Sequence, residues 1–348
     1  MKALVKTQKG PGFIELQTRA VPELPDQDWV KIAVKFTGVC GTDLHVWRDQ
    51  GIYWAPCILG HEFSGEVVEI GNRVKGWKVG DRVVAEPHTK ACGQCYLCRQ
   101  GDIGICREKR SIGWGGVDGS MADYIVMPAH LLHRIPDNVS YKHAALTEPL
   151  AIVIHQVLER CRVGFQDFVV VTGSGPIGIL AAYMAKKAGA GTVCMTGLNS
   201  GKKMRFGVAE KMGVDRIINV QEEDAVAIVQ QMTGGRGADV VIETSGSAPA
   251  IASAFEMMKI RGRISAIGIS GKPEVAIPWN KAIFKAGDVF FNLSSTASAW
   301  DTALRLLENH AKELDPIITD VLALEDWEPA FERLEREEGI KAIFELTR

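Results

Sequence analysis

The rhythm of apolar and polar positions changes near residue 150. Before that point short β-rich runs, Val30 to Thr37, Ser64 to Ile70 and Asp81 to Ala85, alternate with glycine turns, and helical spacing is scarce. Such a pattern predicts a small antiparallel barrel. Beyond Leu150 apolar strands alternate with amphipathic helices. Strands are expected at Phe168 to Thr172, Thr192 to Thr196, Arg216 to Val220, Asp239 to Thr244, Arg263 to Gly268 and Asp288 to Leu293. Strands with intervening helices predict an α/β fold with a doubly wound parallel sheet. Its first helix opens with Pro176 and sets Ile177, Leu180, Ala181 and Met184 on one face. Trp300 to Leu307 and Trp327 to Leu334 share that spacing, and Lys341 to Leu346 reads as a closing strand. The expected divisions are 1–150, 151–294 and 295–348, the last rejoining the first.

Composition narrows the classes of function. A chain of 348 residues exceeds what one core usually sustains, in keeping with two domains. Its 40 Lys and Arg against 42 Asp and Glu leave a formal net charge of -2, with no long run of one sign, which argues against nucleic-acid and membrane-surface partners. Phe168 to Ala185 is apolar but broken by Gly173, Gly175, Pro176 and Gly178, so it reads as a buried strand turning into a helix and not as a span. Met1 to Phe13 carries lysines and no apolar core, so no secretory signal is read there and a cytoplasmic location is expected.

Gly173, Gly175 and Gly178 form GxGxxG directly after a strand and at the mouth of a helix, the context a dinucleotide site requires. The first glycine allows the tight turn, the second lets a pyrophosphate approach the backbone, and the third lets helix and strand pack closely. With Pro176 and Ile177 they are the candidate phosphate contacts, where the helix amino terminus supplies free N–H groups. An acidic residue usually ends the second strand of an NAD site and bonds the ribose hydroxyls. Gly197 stands there instead, followed by Asn199, Lys202, Lys203 and Arg205. Loss of the carboxylate and the nearby cations favour NADP or dual use; the alternative makes those cations a solvated helix face.

Eight cysteines are present, and Cys92, Cys95, Cys98 and Cys106 give CxxCxxCx7C. That set can close a tetrahedral structural zinc site with no open position. A second group is Cys40, Thr42, Asp43 and His45, then His61 and Glu62, then Glu148 before Pro149. A catalytic zinc takes about three ligands of mixed type and keeps a vacancy. Taken alone, Cys40 is more often a buried small hydrophobe, and His61 more often a satisfied core histidine.

Together these motifs resemble the zinc-containing medium-chain alcohol dehydrogenase family over nearly the whole chain. The likeness rests on GHExxGx5Gx2V (Gly60, His61, Glu62, Gly65, Gly71, Val74), GDRV at Gly80 to Val83, the four-cysteine lobe and the glycine fingerprint in that order. Thr147-Glu148-Pro149-Leu150 resembles the sorbitol, sugar-phosphate and threonine dehydrogenase branch; simple alcohol dehydrogenases have a cysteine ligand where Glu148 stands. The resemblance implies a GroES-like barrel, a Rossmann domain and substrate in the cleft between them. It also implies catalytic zinc on Cys40, His61 and either Glu62 or Glu148, a proton relay from Thr42 to His45, and hydride transfer from a secondary alcohol to NAD or NADP. Ser245, within Glu243 to Gly246, would line adenosine, and Ile267, Gly268 and Ile269 the nicotinamide. Relatives pair across the last Rossmann strand, so a homodimer or homotetramer is expected.

The substrate expected is a polyol or sugar alcohol, with or without a phosphate. Trp47, Tyr53 and Trp54 are candidate pocket walls or equally barrel core, and Arg48, Lys90 and Arg110 are candidate phosphate ligands, with ordinary surface cations the favoured alternative. Alternatives are L-threonine 3-dehydrogenase and a catalytically inactive, zinc-stapled binding protein. Zinc-free quinone reductases of the same superfamily lack both ligand sets.

Overall fold

The computed structural model describes residues 1–346. The chain forms two compact units, one of Met1–Ala151, Thr296–Arg336 and the segment from Lys341, the other of Ile152–Ser295 with Glu337–Ile340.

The first unit is built around the strand Trp29–Gly38, in which Val30, Ile32 and Val34 alternate inward as a half-buried strand requires. It pairs antiparallel with Glu62–Ile70 along one edge. Its other edge is shared by Tyr124–Pro128 at the Trp29 end and by Lys341–Glu345 at the Gly38 end. The closing strand thereby puts Ile343 opposite Gly38, while Glu62 is opposite the same glycine on the far side. A Cβ on Gly38 would lie 2.4 Å from the Glu62 carboxylate, so the absent side chain is what leaves room for Glu62 and Lys341. In the tail, helix Ala297–His310 buries Trp300, Ala303, Leu304 and Leu307, the amphipathic spacing read from the sequence.

The second unit holds one parallel sheet of six strands, labelled here β1 (Phe168–Thr172), β2 (Thr192–Gly197), β3 (Arg216–Asn219), β4 (Ala238–Glu243), β5 (Met258–Ala266) and β6 (Asp288–Phe291). Their order is β3-β2-β1-β4-β5-β6. Val169, Val170 and Val171 are fully buried, as a central parallel strand covered on both faces demands. β5 starts at Met258, five positions before the expected Arg263, because helix Ala248–Met257 runs straight into it without a turn. Strand order reverses beside β1, where a doubly wound sheet opens its ligand crevice. Among the described residues no helix is long and apolar enough to cross a membrane; Phe168 to Ala185 is β1 followed by helix Pro176–Lys187.

Candidate active site

Cys40 precedes the short helix Gly41–Trp47, and its backbone N–H donates to Asp43 Oδ2 at 2.9 Å. Asp43 Oδ1 accepts the N–H of Gly60 at 3.2 Å. One buried carboxylate therefore ties the turn carrying Cys40 to the loop carrying His61. Burial pushes the Asp43 carboxyl up, opposed by His61 and by the two N–H groups.

His61 ends the loop just before the strand that pairs with Trp29–Gly38 and Glu62 opens that strand; they are 3% and 1% exposed. The Trp114 ring stands edge-on to the His61 ring with centroids 4.5 Å apart. Glu62 pairs with the ammonium of Lys341, which is equally buried and donates to Val39 O at 2.9 Å. Burial alone would lower the Lys341 ammonium, but Glu62 and Cys40 beside it leave it raised.

Cys40, His61 and Glu62 each offer a ligand atom, all within 4.8 Å of one another. Glu148 lies outside that group, in the first turn of Thr147–Val153, 7% exposed; burial first, and Glu62 next, push its carboxyl up to about 7. Burial and Glu62 likewise raise the Cys40 thiol. His61 Nδ1 is buried with no hydrogen-bond partner. A desolvated thiol, an imidazole nitrogen with no protein partner and a carboxylate form a mixed S, N, O set of the kind that binds a divalent cation, and zinc fits it.

Cys92, Cys95, Cys98 and Cys106 form a second group, with Sγ atoms 3.7 Å (Cys92–Cys106), 3.9 Å (Cys92–Cys98) and 4.0 Å (Cys95–Cys106) apart. A tetrahedron with Zn–S bonds of about 2.3 Å has edges of about 3.8 Å, and a disulfide needs about 2.05 Å. All four are free thiols arranged for zinc. The Cys92 N–H reaches Cys106 Sγ at 3.5 Å, and with the Glu108 N–H it draws the Cys106 thiol down to about 6.

At the glycine fingerprint the three positions differ. Gly173 has φ +106°, and a Cβ on Gly178 would lie 2.0 Å from Gly173 O, so both are glycine for internal reasons. Gly175, the N-cap of helix Pro176–Lys187, has φ −76° and open space where a Cβ would go. Nothing in the protein demands glycine there, which suits a backbone approached by a pyrophosphate. Gly197 ends β2, and a Cβ on it would meet the Phe206 ring at 2.5 Å, so a ribose-binding carboxylate has no room. Asn199 bonds Asn219 and Gln221, while Lys202 is exposed and paired with Glu222. At the ends of β4 and β5, Ser245 donates through N–H and hydroxyl to Glu243, and the Ile267 and Gly268 N–H groups donate to Glu243 O at 2.8 and 2.9 Å. Ile269 is largely exposed.

Some expectations need correction. Arg205 does not face solvent beside Lys202: it is buried, pairs with Glu337 at 3.1 Å and reaches Gly339 O, so it anchors Glu337–Ile340 to the second unit. Trp47 and Tyr53 are not free pocket walls. Trp47 packs edge-on to Phe331, and Tyr53 is a core residue bonded to Asp49. Arg48 is held by Glu335. Asp43 was grouped with Cys40 but given no role, and Lys341 and Trp114 were not read as site residues. Only Asp43 had a local signal, its place three residues after Cys40 at a helix start.

Residues 26–137 match the alcohol dehydrogenase GroES-like domain and residues 176–309 the zinc-binding dehydrogenase family. The barrel and the Rossmann sheet with these two sites define a zinc-dependent, NAD(P)-linked dehydrogenase of a small-molecule substrate. A sorbitol dehydrogenase of Halalkalibacterium halodurans is 39% identical over 343 residues, 99% of this chain and 98% of that protein. An L-threonine 3-dehydrogenase of Escherichia coli K12 is 36% identical over 349 residues, 99% of each. A zinc-binding dehydrogenase of Sinorhizobium meliloti 1021, solved with NADP, matches with a TM-score of 0.90 at 27% identity, covering 99% of each chain. The chain belongs to the zinc-containing medium-chain alcohol dehydrogenase family.

Proposed function

We propose that the protein oxidises a secondary alcohol of a polyol or sugar alcohol with NAD(P) as hydride acceptor. The observation that carries this reading is the mixed ligand set of Cys40, His61 and Glu62 within 4.8 Å, with Glu148 buried nearby, in a chain 39% identical to a sorbitol dehydrogenase. When bound, zinc supplies a Lewis acid that makes a hydroxyl proton acidic near neutral pH, and the nicotinamide accepts hydride.

Cys40, His61 and Glu62 hold the ion, and Glu148 is the second carboxylate that shares ligand or proton duty. Thr42, whose Oγ1 is 3.7 Å from Cys40 Sγ, accepts the substrate proton and donates its own toward His45. His45 is exposed, three residues on along the same helix, and Gln50 Oε1 sits 3.1 Å from its Nδ1. The proton thus has a route to water.

Residues 1–150 with the tail from 295 act as the catalytic domain and 151–294 as the cofactor domain. Gly173, Gly175, Pro176, Ile177 and Gly178 cradle the pyrophosphate; Ser245 and Ile267, Gly268 and Ile269 line adenosine and nicotinamide. Asn199 and Lys202 lie at the ribose, and the Phe206 ring against Gly197 favours NADP or dual use over NAD alone. A strong NAD preference that Lys202→Ala leaves unchanged overturns this part. A homodimer or homotetramer is supported by the exposed edge strand β6, where Phe291 is 78% exposed, beside a helix baring Trp279 and Phe284; light scattering tests it. A cytoplasmic location is supported by the eight unpaired thiols.

Identity of 36% to an L-threonine 3-dehydrogenase favours a second reading. Screening polyols, their phosphates and threonine with both cofactors separates the two: threonine oxidised far better than any polyol overturns the first.

A further inference from the structure

The segment from Arg110 to Ser120 is docked on the loop that ends in His61. Ser120 N–H donates to Gly60 O at 2.9 Å, Gly119 N–H donates to Ile58 O at 2.8 Å, and a Cβ on Gly113 would lie 2.6 Å from Gly60 O. From this segment Trp114 turns its ring to His61, while its carbonyl accepts the N–H of Trp54 at 2.9 Å. The Trp54 ring is 47% exposed, and the Arg110 guanidinium lies over it at 5.7 Å from the centroid. Arg110 begins a strand whose residue pairs with Thr89, so Lys90 follows at the same end of the ladder.

Two exposed arginines of this unit carry a carboxylate: Arg73 pairs with Asp26 and Arg134 with Asp81. Among the described residues Arg110 and Lys90 have none. Two unpaired cations thus stand at one end of a small sheet whose other end abuts the metal-ligand loop.

We propose that Arg110, seated on Trp54 and backed by Lys90, receives a terminal oxyanion, phosphate or carboxylate, on an acyclic polyol whose reacting hydroxyl lies on the His61 side of Trp114. This deepens the polyol reading and rests on it. The aromatic face orders the guanidinium plane and leaves its N–H edge open, and a planar fork of donors matches an oxyanion bidentately. Reach is adequate. Three residues of strand at about 3.3 Å each put the Arg110 backbone roughly 10 Å from Gly113. With C–C bonds of about 1.52 Å advancing roughly 1.2 Å each, a four- or five-carbon stem together with the arginine side chain spans that interval, and Gly113 packs on Gly60, next to His61. Arg48, the other arginine read as a phosphate ligand, is held by Glu335.

The test uses zinc-replete enzyme and three substrates of equal carbon length: a neutral polyol, its terminal phosphate ester and the corresponding aldonate. Wild type should favour at least one anionic substrate over the neutral polyol by about tenfold or more in kcat/KM. Arg110→Ala should remove most of that preference through KM, Arg110→Lys should restore part of it, and Lys90→Ala should act in the same direction but less. Which of the two anions wins identifies the oxyanion. Wild type without a preference, or a preference that survives Arg110→Ala, overturns the subsite while the polyol reading stands. Failure of all three substrates beside good turnover of threonine overturns the polyol reading itself, and the subsite with it.

Discussion

The cysteine lobe and the Cys40 site both present a metal ion with ligands, yet they are built in opposite ways. The lobe takes its four thiols from one short stretch between Cys92 and Cys106, mostly half-buried, supported by backbone N–H groups and by each other. The Cys40 site draws a thiol from a helix N-cap and an imidazole and a carboxylate from a strand start, nearly all buried, and holds them with Asp43 and Lys341. Four equal donors close a tetrahedron, whereas three unlike donors fixed by the surrounding barrel leave a position open. The lobe's thiols are held within one loop, whereas the Cys40 site's ligands are held by side chains from separate strands and turns.

The comparison breaks most sharply at Cys40. Cys40→Ser should lower kcat/KM by about 10³ or more, the scale of several kcal/mol of lost transition-state stabilisation. Metal analysis should find one equivalent fewer, with the lobe still loaded. Activity within tenfold of wild type would show that the two sites are not functionally distinct.

Lys341→Met probes whether the fold or the metal holds Glu62. In metal-free protein the substitution strands a buried carboxylate and should cost about 3–5 kcal/mol in denaturant unfolding. Zinc should offset much of that loss by taking the carboxylate; an equal cost with and without zinc would mean that Glu62 stays out of the metal's reach.

Removal of the lobe metal, by mild chelation or Cys98→Ser, should loosen 92–106 to proteolysis and hydrogen exchange and lower the unfolding midpoint by a few degrees. Protection at Cys40 and His61 should persist. Loosening that spread to the barrel strands would contradict the local character of the lobe.

The smallest effect is expected at His133, whose charge cluster contains none of the metal-ligand residues. Its ring stacks on Trp300, and its two nitrogens face Glu86 at 3.1 Å and Asp301 at 2.9 Å. Burial alone would lower its pKa, but the two carboxylates raise it above the ordinary value. The folded state therefore binds this proton more tightly than the unfolded chain. The stabilisation is fully present below about pH 6.5 and is lost as pH rises through the folded value. His133→Gln should flatten the pH dependence of stability in that window without touching metal content at either site.

Much of this was legible along the chain. β-rich residues marked Val30 to Thr37, apolar runs marked Phe168 to Thr172 and Asp239 to Thr244, and the cysteine spacing named all four lobe thiols, because strands, turns and tight metal loops are set by neighbours in sequence. At the glycine motif the spacing was visible, but only the structure separates Gly173 and Gly178, constrained by the turn and by packing, from Gly175, which nothing in the protein constrains. Arg205 looked like one more exposed cation, and its burial against Glu337 required a segment more than a hundred residues away.

By itself the sequence determined the order of elements, the two sets of metal-binding residue types and the missing carboxylate at Gly197. Only the tertiary structure decided that Glu62 is the carboxylate grouped with Cys40 and His61, that Lys341 is its partner, and that Trp114 stands against His61. The reason is physical. Periodicity and turn chemistry act over a few residues, whereas these contacts follow from long-range pairing of strands, in which Gly38 meets Glu62 on one side and Ile343 on the other.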